Sequence, residues 1–344
     1  MNFASDNTAG ISPEILAALA TANDGAVGSY GADPITARLE ATLAALFEHE
    51  VAVFPVATGT AANALALAAV TPPWGAVLCH PLAHIACDEA NAPEFYSGGA
   101  KLVPVPGADG KLAVADLAAL LPGDLGNVHH AQPAAVSLTQ ATECGTVYRP
   151  AEIAEISALA HRHGLAVHMD GARFANALVH LDASPADITW RAGIDVLSFG
   201  ATKNGALGAE AIVFFDPARA RDLPFRRKRA GHLFSKMRFL SAQLDAYVAD
   251  DLWLRNARHA NAAATRLAKG LTALPGVRLR HPVEANELFV ELPEAMIVGL
   301  FAAGAQFYRW QGATSTCVRL VTAWNTSEAD VTTFLGHASR LAAA

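Results

Sequence analysis

The chain has 344 residues, 52% of them hydrophobic, which is enough to bury the core of one large domain or of a large and a small one. This composition excludes a disordered scaffold, and the net charge of -7 argues against nucleic acid as the main partner. The most apolar stretches are too short to cross a bilayer and the first residues lack a signal-peptide pattern, so we expect a cytoplasmic protein with no membrane partner.

Helical patterns alternate with short apolar strands from about residue 35 to residue 248, which is the rhythm of βαβ units around a largely parallel sheet. Residues 51–54, 165–169 and 194–199 are predicted strands of that sheet, and residues 235–274 one long or broken helix. A smaller domain follows, with strands at 277–280, 287–292, 305–309 and 317–321 and helices near 294–303 and 327–342. We predict a large domain over 1–250 and a small one over 251–344.

The sequence TGTAANAL at 58–65 follows an apolar strand and opens an alanine-rich helix. Free N–H groups at the helix start, the helix dipole and the hydroxyls of Thr58 and Thr60 are suited to bind a phosphate, and Gly59 allows close approach. An ordinary helix cap is the alternative.

Four cysteines, Cys79, Cys87, Cys144 and Cys317, show no disulfide-framework spacing and are expected to be reduced. Residues 79–89 include cysteine, histidine and acidic side chains, but no standard zinc spacing, so we expect no metal site.

Asp170 directly follows the predicted strand 165–169, and the carboxyl ends of parallel strands are where open α/β sheets bind ligands. A carboxylate there can keep a pyridine nitrogen protonated, as an electron-sink cofactor requires. The Asp-Gly pair is equally a turn signal.

Lys203 follows the next clear strand among small residues, so it should lie at the same sheet edge as Asp170. Desolvation there favours the neutral amine that Schiff-base formation needs. A solvated loop lysine is the alternative. A phosphate cradle, a pyridinium partner and a Schiff-base lysine at one edge together indicate pyridoxal phosphate (PLP) as the cofactor.

The order of these motifs resembles fold-type I PLP enzymes, and from Phe3 to about Asn325 the chain resembles the low-specificity L-threonine aldolases of the β-eliminating lyase/threonine aldolase family. The motifs that carry the resemblance are SDN at 5–7, YGADP at 30–34, TGTAAN at 58–63, AH at 83–84, HMDGAR at 168–173, TKNG at 202–205 and VRLV at 318–321.

The resemblance implies a transferase-like α/β fold, with a mostly parallel seven-stranded sheet in the large domain and a small C-terminal α+β domain. It implies PLP-dependent retro-aldol cleavage of L-threonine, L-allo-threonine and related β-hydroxy-α-amino acids to glycine and an aldehyde. It also implies a homodimer or homotetramer with active sites at the subunit interface.

The resemblance further implies residue roles. Lys203, His84 and Asp170 are the expected catalytic residues, with His84 stacked on the cofactor ring. The expected cofactor-binding residues are Thr58, Gly59, Thr60, His84, Asp170, Arg173, Thr202, Lys203 and Arg229. The expected substrate-binding residues are Ser5, Tyr30, Arg173 and Arg319.

Several of these residues have ordinary alternatives. Arg173 and Arg319 could form surface ion pairs, although the apolar neighbours of Arg319 favour an anionic ligand. His84 could be a satisfied core histidine. The basic run 226–229 would normally be a solvated helix face, whereas the resemblance places Arg229 near a phosphate across a dimer interface.

The chain departs from many threonine aldolases at residues 139–143, which read TQATE where those carry ENTH. The second histidine is absent, which leaves His84, Glu89, Thr142 and an activated water as candidate general bases. A PLP aminotransferase and a β-eliminating lyase remain alternative functions, because the fold does not separate them. A regulatory PLP-binding module is a further alternative, against which every residue needed for aldimine chemistry is present and no DNA-binding helix pair is attached.

Overall fold

The computed structural model describes residues 1–343, except for the side chains of residues 122–124. Seven strands form the large sheet in the order β1-β7-β6-β5-β4-β2-β3. They are β1 Ala52–Val56, β2 Gly75–Cys79, β3 Lys101–Pro104, β4 Gln132–Thr139, β5 Ala166–Gly171, β6 Val196–Gly200 and β7 Glu210–Phe214. Strands β3, β2, β4, β5 and β6 pair in parallel, whereas β7 is antiparallel to both β6 and β1. The predicted mostly parallel seven-stranded sheet is confirmed.

Helices cover the sheet and join its strands. Those of the first 250 residues are α1 Pro13–Ala22, α2 Pro34–Phe47, α3 Gly59–Val70, α4 His84–Cys87, α5 Ala92–Ser97, α6 Val114–Asp124, α7 Pro150–Arg162, α8 Phe174–Leu181, α9 Leu223–Arg229 and α10 Arg238–Val248. Helix α3 is buried along nearly its whole length, since small alanines and leucines on every side let it pack closely against the sheet. Its amino terminus therefore has a fixed position at the sheet edge.

Residues 235–274 form a broken helix. Asp250 and Asp251 have left-handed backbone angles, with φ of 49° and 57°, and separate α10 from the long helix α11 Leu252–Thr272. The amino-terminal part of α11 packs with Trp253 in the core of the large sheet, and its carboxyl-terminal part packs with Leu267 in a second core. One rigid helix thus contributes to both cores.

The second core lies under a small antiparallel sheet of order β10-β11-β9-β8. Its strands are β8 Arg278–Leu279, β9 Glu287–Glu291, β10 Tyr308–Arg309 and β11 Cys317–Val321, and helices α12 Glu294–Ala302 and α13 Glu328–Ala342 accompany it. The predicted small α+β unit is confirmed. The strand predicted at 305–309 is shorter, because residue 306 bonds instead to the first residues of the chain.

The amino terminus also packs into the small core. Phe3 is fully buried there, with its ring centroid 5.1 Å from that of Phe334. The division of the chain at residue 250 stays a prediction. Within residues 1–343, no helix combines the length and the apolar character that crossing a membrane requires.

Candidate active site

Two adjoining cavities lie at the carboxyl-terminal edge of the parallel strands. The cradle cavity, of about 240 Å³, is bounded by the start of α3 and by the residues after β6. The arginine cavity, of about 510 Å³, is bounded by Arg173 and Arg319. Asn7, His84 and Lys203 line both cavities, so the two spaces meet at these three side chains.

The amino terminus of α3 opens into the cradle cavity. Thr58 caps the helix, and its hydroxyl accepts a hydrogen bond of 3.1 Å from the Ala61 N–H. The amides of Gly59 and Thr60 belong to the first turn, where N–H groups have no partner within a helix. No atom lies within 4 Å of the position that a Cβ on Gly59 would take. The helix cap and the phosphate cradle, treated as alternatives from the sequence, are thus compatible in one structure.

Lys203 lies in a single 3₁₀ turn, Thr202–Asn204, directly after β6. Buried hydrogen bonds hold this turn in place, because the side-chain Nδ2 of Asn204 donates to the Tyr247 hydroxyl at 2.9 Å and to the Trp253 carbonyl at 2.8 Å. With the turn held at its base, Lys203 faces the point where the two cavities meet. The solvated-loop alternative does not apply to this lysine.

A buried glutamate that was not predicted from the sequence faces the same turn. Glu210, at the start of β7, accepts a hydrogen bond of 3.0 Å from the Ala201 N–H and lines the cradle cavity. Burial raises the pKa of Glu210 to about 7, against the opposing effect of its hydrogen bonds to the turn and of the Lys203 charge.

Asp170 ends a chain of four buried or half-buried polar side chains. Its Oδ1 accepts from the Ala172 N–H at 3.0 Å, and its Oδ2 accepts from Asn63 Nδ2 at 2.8 Å. Asn63 Nδ2 also donates to Glu89 Oε1 at 2.8 Å, and Glu89 Oε1 lies 2.8 Å from His84 Nδ1. Asp170 is the acceptor in both of its bonds, and it is buried and lines neither cavity directly.

The Glu89 contact also sets the protonation of His84. Its hydrogen bond with Glu89 is the main reason that the pKa of His84 is raised above its ordinary value, with burial opposing. Burial raises the pKa of Glu89 as well, in spite of its bonds to His84 and Asn63. His84 lies on the cavity wall rather than in the core, so the core-histidine alternative does not describe it.

Arg173 and Arg319 share one buried carboxylate. Arg173 donates two hydrogen bonds to Asp6, from Nε at 2.8 Å and from Nη2 at 3.0 Å. Glu287 Oε1 lies 3.1 Å from Arg173 Nη2 and 3.2 Å from Arg319 Nε. Asp6 is buried, which alone would raise its pKa, but the charges of Arg173 and Lys203 hold the pKa below its ordinary value. Both arginines form ion pairs, yet these are inside the cavity wall and not on an open surface.

Within residues 139–143, the side chain that reaches a cavity is not Thr142, which the sequence suggested as a candidate general base. The Thr142 hydroxyl bonds to the Asp109 carbonyl at 3.1 Å and to the Thr146 hydroxyl at 2.8 Å, and Thr142 is fully buried. The next residue, Glu143, lines the arginine cavity. Thr142 and Glu89 line neither the arginine cavity nor the cradle cavity, so neither is placed to meet a substrate there directly.

The remaining predicted residues divide into two groups. Ser5 lines the arginine cavity and Thr202 lines the cradle cavity. Tyr30 and Arg229 are exposed and line neither cavity of this chain; Tyr30 lies beneath Lys228, whose Nζ is 4.7 Å from its ring centroid. In the basic run, Arg227 is the residue that reaches the sheet, donating to the Pro55 carbonyl at 3.2 Å.

The metal-capable residues at 79–89 have separate partners. His80 lies 3.2 Å from the Gly107 carbonyl, Cys87 donates to the Pro81 carbonyl, and His84 pairs with Glu89. Across residues 1–343, no three histidine, cysteine or acidic side chains are grouped as a metal ion would need.

Sequence reasoning missed several residues around the cavities. Asp6 and Asn63 stand inside motifs that were recognised, and Glu287 is a charged residue at the start of an apolar strand, which is a usable signal. Tyr308 in β10 and Trp310 and Gln311 in the loop after it line the arginine cavity and carry no motif.

The chain matches known proteins over almost its whole length. Residues 2–295 match the family model described as beta-eliminating lyase. The chain is 48% identical over 326 residues to a low specificity L-threonine aldolase of Pseudomonas aeruginosa, covering 94% of this chain and 93% of that protein. It is 46% identical over 331 residues to a low specificity L-threonine aldolase of a Pseudomonas species, covering 96% and 94%.

A solved structure of Leishmania major threonine aldolase superimposes with a TM-score of 0.93 at 32% identity, and the match covers 99% of each chain. The agreement in fold thus extends over both the large sheet and the small one. On these matches, the chain belongs to the beta-eliminating lyase family, among its PLP-dependent threonine aldolases.

Proposed function

We propose that this protein is a PLP-dependent aldehyde-lyase that cleaves L-threonine, L-allo-threonine and related β-hydroxy-α-amino acids to glycine and an aldehyde. The observation that carries the proposal is the position of Lys203, which lines both the cradle cavity and the arginine cavity. A residue there can meet a cofactor on one side and an amino acid on the other. The names of the relatives support the same reaction.

The residues of the cradle cavity fit pyridoxal phosphate. The open space beside Gly59 and the first-turn amides of α3 suit the phosphate, with the hydroxyls of Thr58, Thr60 and Thr202 beside them. Lys203 would hold the cofactor covalently, and Asp170, the acceptor in both of its hydrogen bonds, would hold its pyridine N–H. His84 would stack on the ring. When bound, the cofactor supplies an electron sink for the pair released by the breaking Cα–Cβ bond.

Arg173 and Arg319 orient the amino acid in the arginine cavity, with Ser5 at its edge. An arginine can hold a carboxylate by two parallel hydrogen bonds, which fixes orientation as well as position. Asp6 and Glu287 bind the Nε and Nη2 atoms of the Arg173 guanidinium, so these contacts fix the position of Arg173. Among residues 1–343, Arg319 has one ion pair, with Glu287, and its guanidinium carbon lies 5.9 Å from the centroid of the Trp310 ring, which leaves its other nitrogens for the substrate.

The assembly proposed is a homodimer or homotetramer with active sites at the subunit interface. Tyr30 and Arg229 are exposed and lie outside the cavities of their own chain, which suits residues that act on a neighbouring subunit. Large apolar side chains are also exposed, among them Leu207 at 67% and Phe225 at 78%, and such an interface would cover them. A cytoplasmic location is proposed because all four cysteines are free thiols.

Product analysis tests this function. The purified protein with PLP should release glycine and acetaldehyde from L-threonine, and glycine and benzaldehyde from phenylserine. Pyruvate and ammonia from L-serine, without glycine from L-threonine, would identify a β-eliminating lyase instead. Transfer of the amino group to a 2-oxo acid would identify an aminotransferase.

A further inference from the structure

We infer that Glu143 is the catalytic residue that takes the proton of the substrate's β-hydroxyl, an inference that rests on the proposed function. Its position carries the argument. Glu143 follows the carboxyl end of β4, which is next to β5 in the sheet, and its side chain lines the arginine cavity together with Lys203 and Arg173. A carboxylate there faces the same substrate that the arginines bind.

Glu143 and Asp88 are the two carboxylates that line the arginine cavity, and of these Glu143 is half-buried whereas Asp88 is exposed. Asp6 and Glu287 bind Arg173, Asp170 bonds to Asn63, and Glu89 bonds to Asn63 and His84. Within residues 1–343, the Glu143 side chain makes no hydrogen bond or ion pair. A half-buried carboxylate without such a partner costs free energy, which a reaction that needs a free acceptor explains.

The candidates weighed from the sequence are less well placed. The Thr142 hydroxyl is buried and bonded to Asp109 and Thr146, and the Glu89 carboxylate lies behind His84. His84 has its Nδ1 bound to Glu89, and that bond raises the pKa of His84 above its ordinary value, which favours the protonated form that cannot accept a proton. Asp88 also lines the cavity but is exposed, which leaves Glu143 as the half-buried ionisable acceptor on the wall.

The proton transfer balances. The β-hydroxyl O–H bond breaks, its proton passes to the Glu143 carboxylate, and its electron pair forms the carbonyl of the aldehyde as the Cα–Cβ bond breaks. When bound, the cofactor would take up the electron pair of the breaking Cα–Cβ bond, and a proton from water would then bond to Cα. One proton leaves the substrate and one is added, so Glu143 returns to its ionised form by releasing its proton, with no net change.

The charges around Glu143 set the pH at which it can work. Burial raises the pKa of Glu143 above its ordinary value of 4.5. The positive charges of Lys203 and Arg173 lower the pKa of Glu143, and the negative charges of Glu287 and Asp170 raise it. The charge of Glu143 in turn raises the pKa values of three neighbouring groups, which are His84, Cys87 and Cys144. A base must be ionised, so kcat/KM should rise with pH through this raised value.

The test compares Glu143→Gln and Glu143→Asp with the wild type, each loaded with PLP. We expect Glu143→Gln to lower kcat for L-threonine by roughly 10²- to 10⁴-fold, the usual contribution of a general base, and to abolish the acidic limb of the pH profile. Glu143→Asp should retain the limb with partial activity. The matched control is Glu155→Gln, on the exposed face of α7, which should leave kcat and the limb unchanged.

A binding measurement separates chemistry from structure. Glycine lacks the β-hydroxyl, so its dissociation constant, read from the visible spectrum of the bound cofactor, should be unchanged in Glu143→Gln. Loss of glycine binding in both Glu143 variants would assign a structural role and overturn the inference. So would full kcat in Glu143→Gln, or an acidic limb that persists there. A wild type that makes no glycine from L-threonine would refute the proposed function instead.

Discussion

Asn63 Nδ2 donates a hydrogen bond of 2.8 Å to Asp170 Oδ2. The same nitrogen donates to Glu89 Oε1 at 2.8 Å, so one buried amide lies between two carboxylates. It links the expected partner of the pyridine nitrogen to the carboxylate that holds His84. One residue of α3 therefore holds Asp170, the expected partner of the pyridine nitrogen, and, through Glu89, also His84.

Replacing Asn63 by alanine should weaken both the fold and the cofactor site. A hydrogen bond to a charged group contributes about 1.5–3 kcal/mol, so the free energy of unfolding should fall by at least about that much. The dissociation constant of PLP, titrated against apoprotein by absorbance, should rise. Asn176→Ala is the control, because Asn176 is also buried but bonds to neutral Asn261. Equal PLP affinity in the two variants would contradict a supporting role for Asn63.

Replacing Lys203 by alanine should remove the visible absorption band of lysine-bound cofactor and abolish turnover. The reason is that no other lysine lines either cavity of residues 1–343. Absorbance spectra and glycine release from L-threonine measure the two effects. Lys111→Ala serves as the control, since Lys111 pairs with Glu152 away from the cavities. A Lys203 variant that kept the band and the activity would remove the basis of the proposed function.

Replacing Arg319 by alanine should chiefly weaken amino-acid binding. Loss of a hydrogen bond to a charged carboxylate, at about 1.5–3 kcal/mol, corresponds to a KM for L-threonine raised roughly 10- to 100-fold. PLP should stay attached, because Arg319 does not line the cradle cavity. Arg278→Ala, on the same small sheet but at an exposed residue paired with Glu291, is the matched control. Unchanged kinetics in Arg319→Ala would exclude it from carboxylate binding.

Replacing Glu89 by glutamine should lower the pKa of His84. The Glu89 bond is the main cause that raises this pKa above its ordinary 6.5, so removing the negative charge should lower it, with burial acting in the same direction and the charges of Asp170 and Glu143 opposing. The protonated fraction of His84 at pH 7 should therefore fall. Titration of ¹³C-labelled histidine by NMR measures the change, with His80 as an internal reference because its environment does not include Glu89. A His84 pKa that stays in place would show that the charge of Glu89 is not its cause.

Mixed oligomers should reveal whether Arg229 acts on a neighbouring subunit. A Lys203→Ala subunit combined with an Arg229→Ala subunit can form one intact site, with Lys203 from one chain and Arg229 from the other. Mixing the two after dissociation should therefore restore part of the activity that each lacks. Lys203→Ala mixed with Arg319→Ala should restore none, because Lys203 and Arg319 line the same cavity of one chain. Equal recovery in both mixtures would contradict the shared site.

The ends of the strands were predictable because they depend on local pattern. Apolar runs mark β5 and β6, and in neighbouring parallel strands the residues just after each run meet at one edge, as Asp170 and Lys203 do. The helix start at Thr58 is equally local, since capping involves residues three apart. Motif resemblance added the two arginines of the cavity.

The partners of these residues depended on the tertiary structure. Asn63 and Asp170 are 107 positions apart, and Arg173 and Asp6 are 167 apart, so no spacing in the sequence pairs them. Glu287 reaches Arg173 only because the small sheet packs against the edge of the large one. Residues 139–143 illustrate the difference: the sequence showed that a histidine is absent, but only the packing of the turn buries Thr142 and turns Glu143 into the cavity. A side chain's direction at a strand end is set by what packs around it, and that is a property of the whole fold.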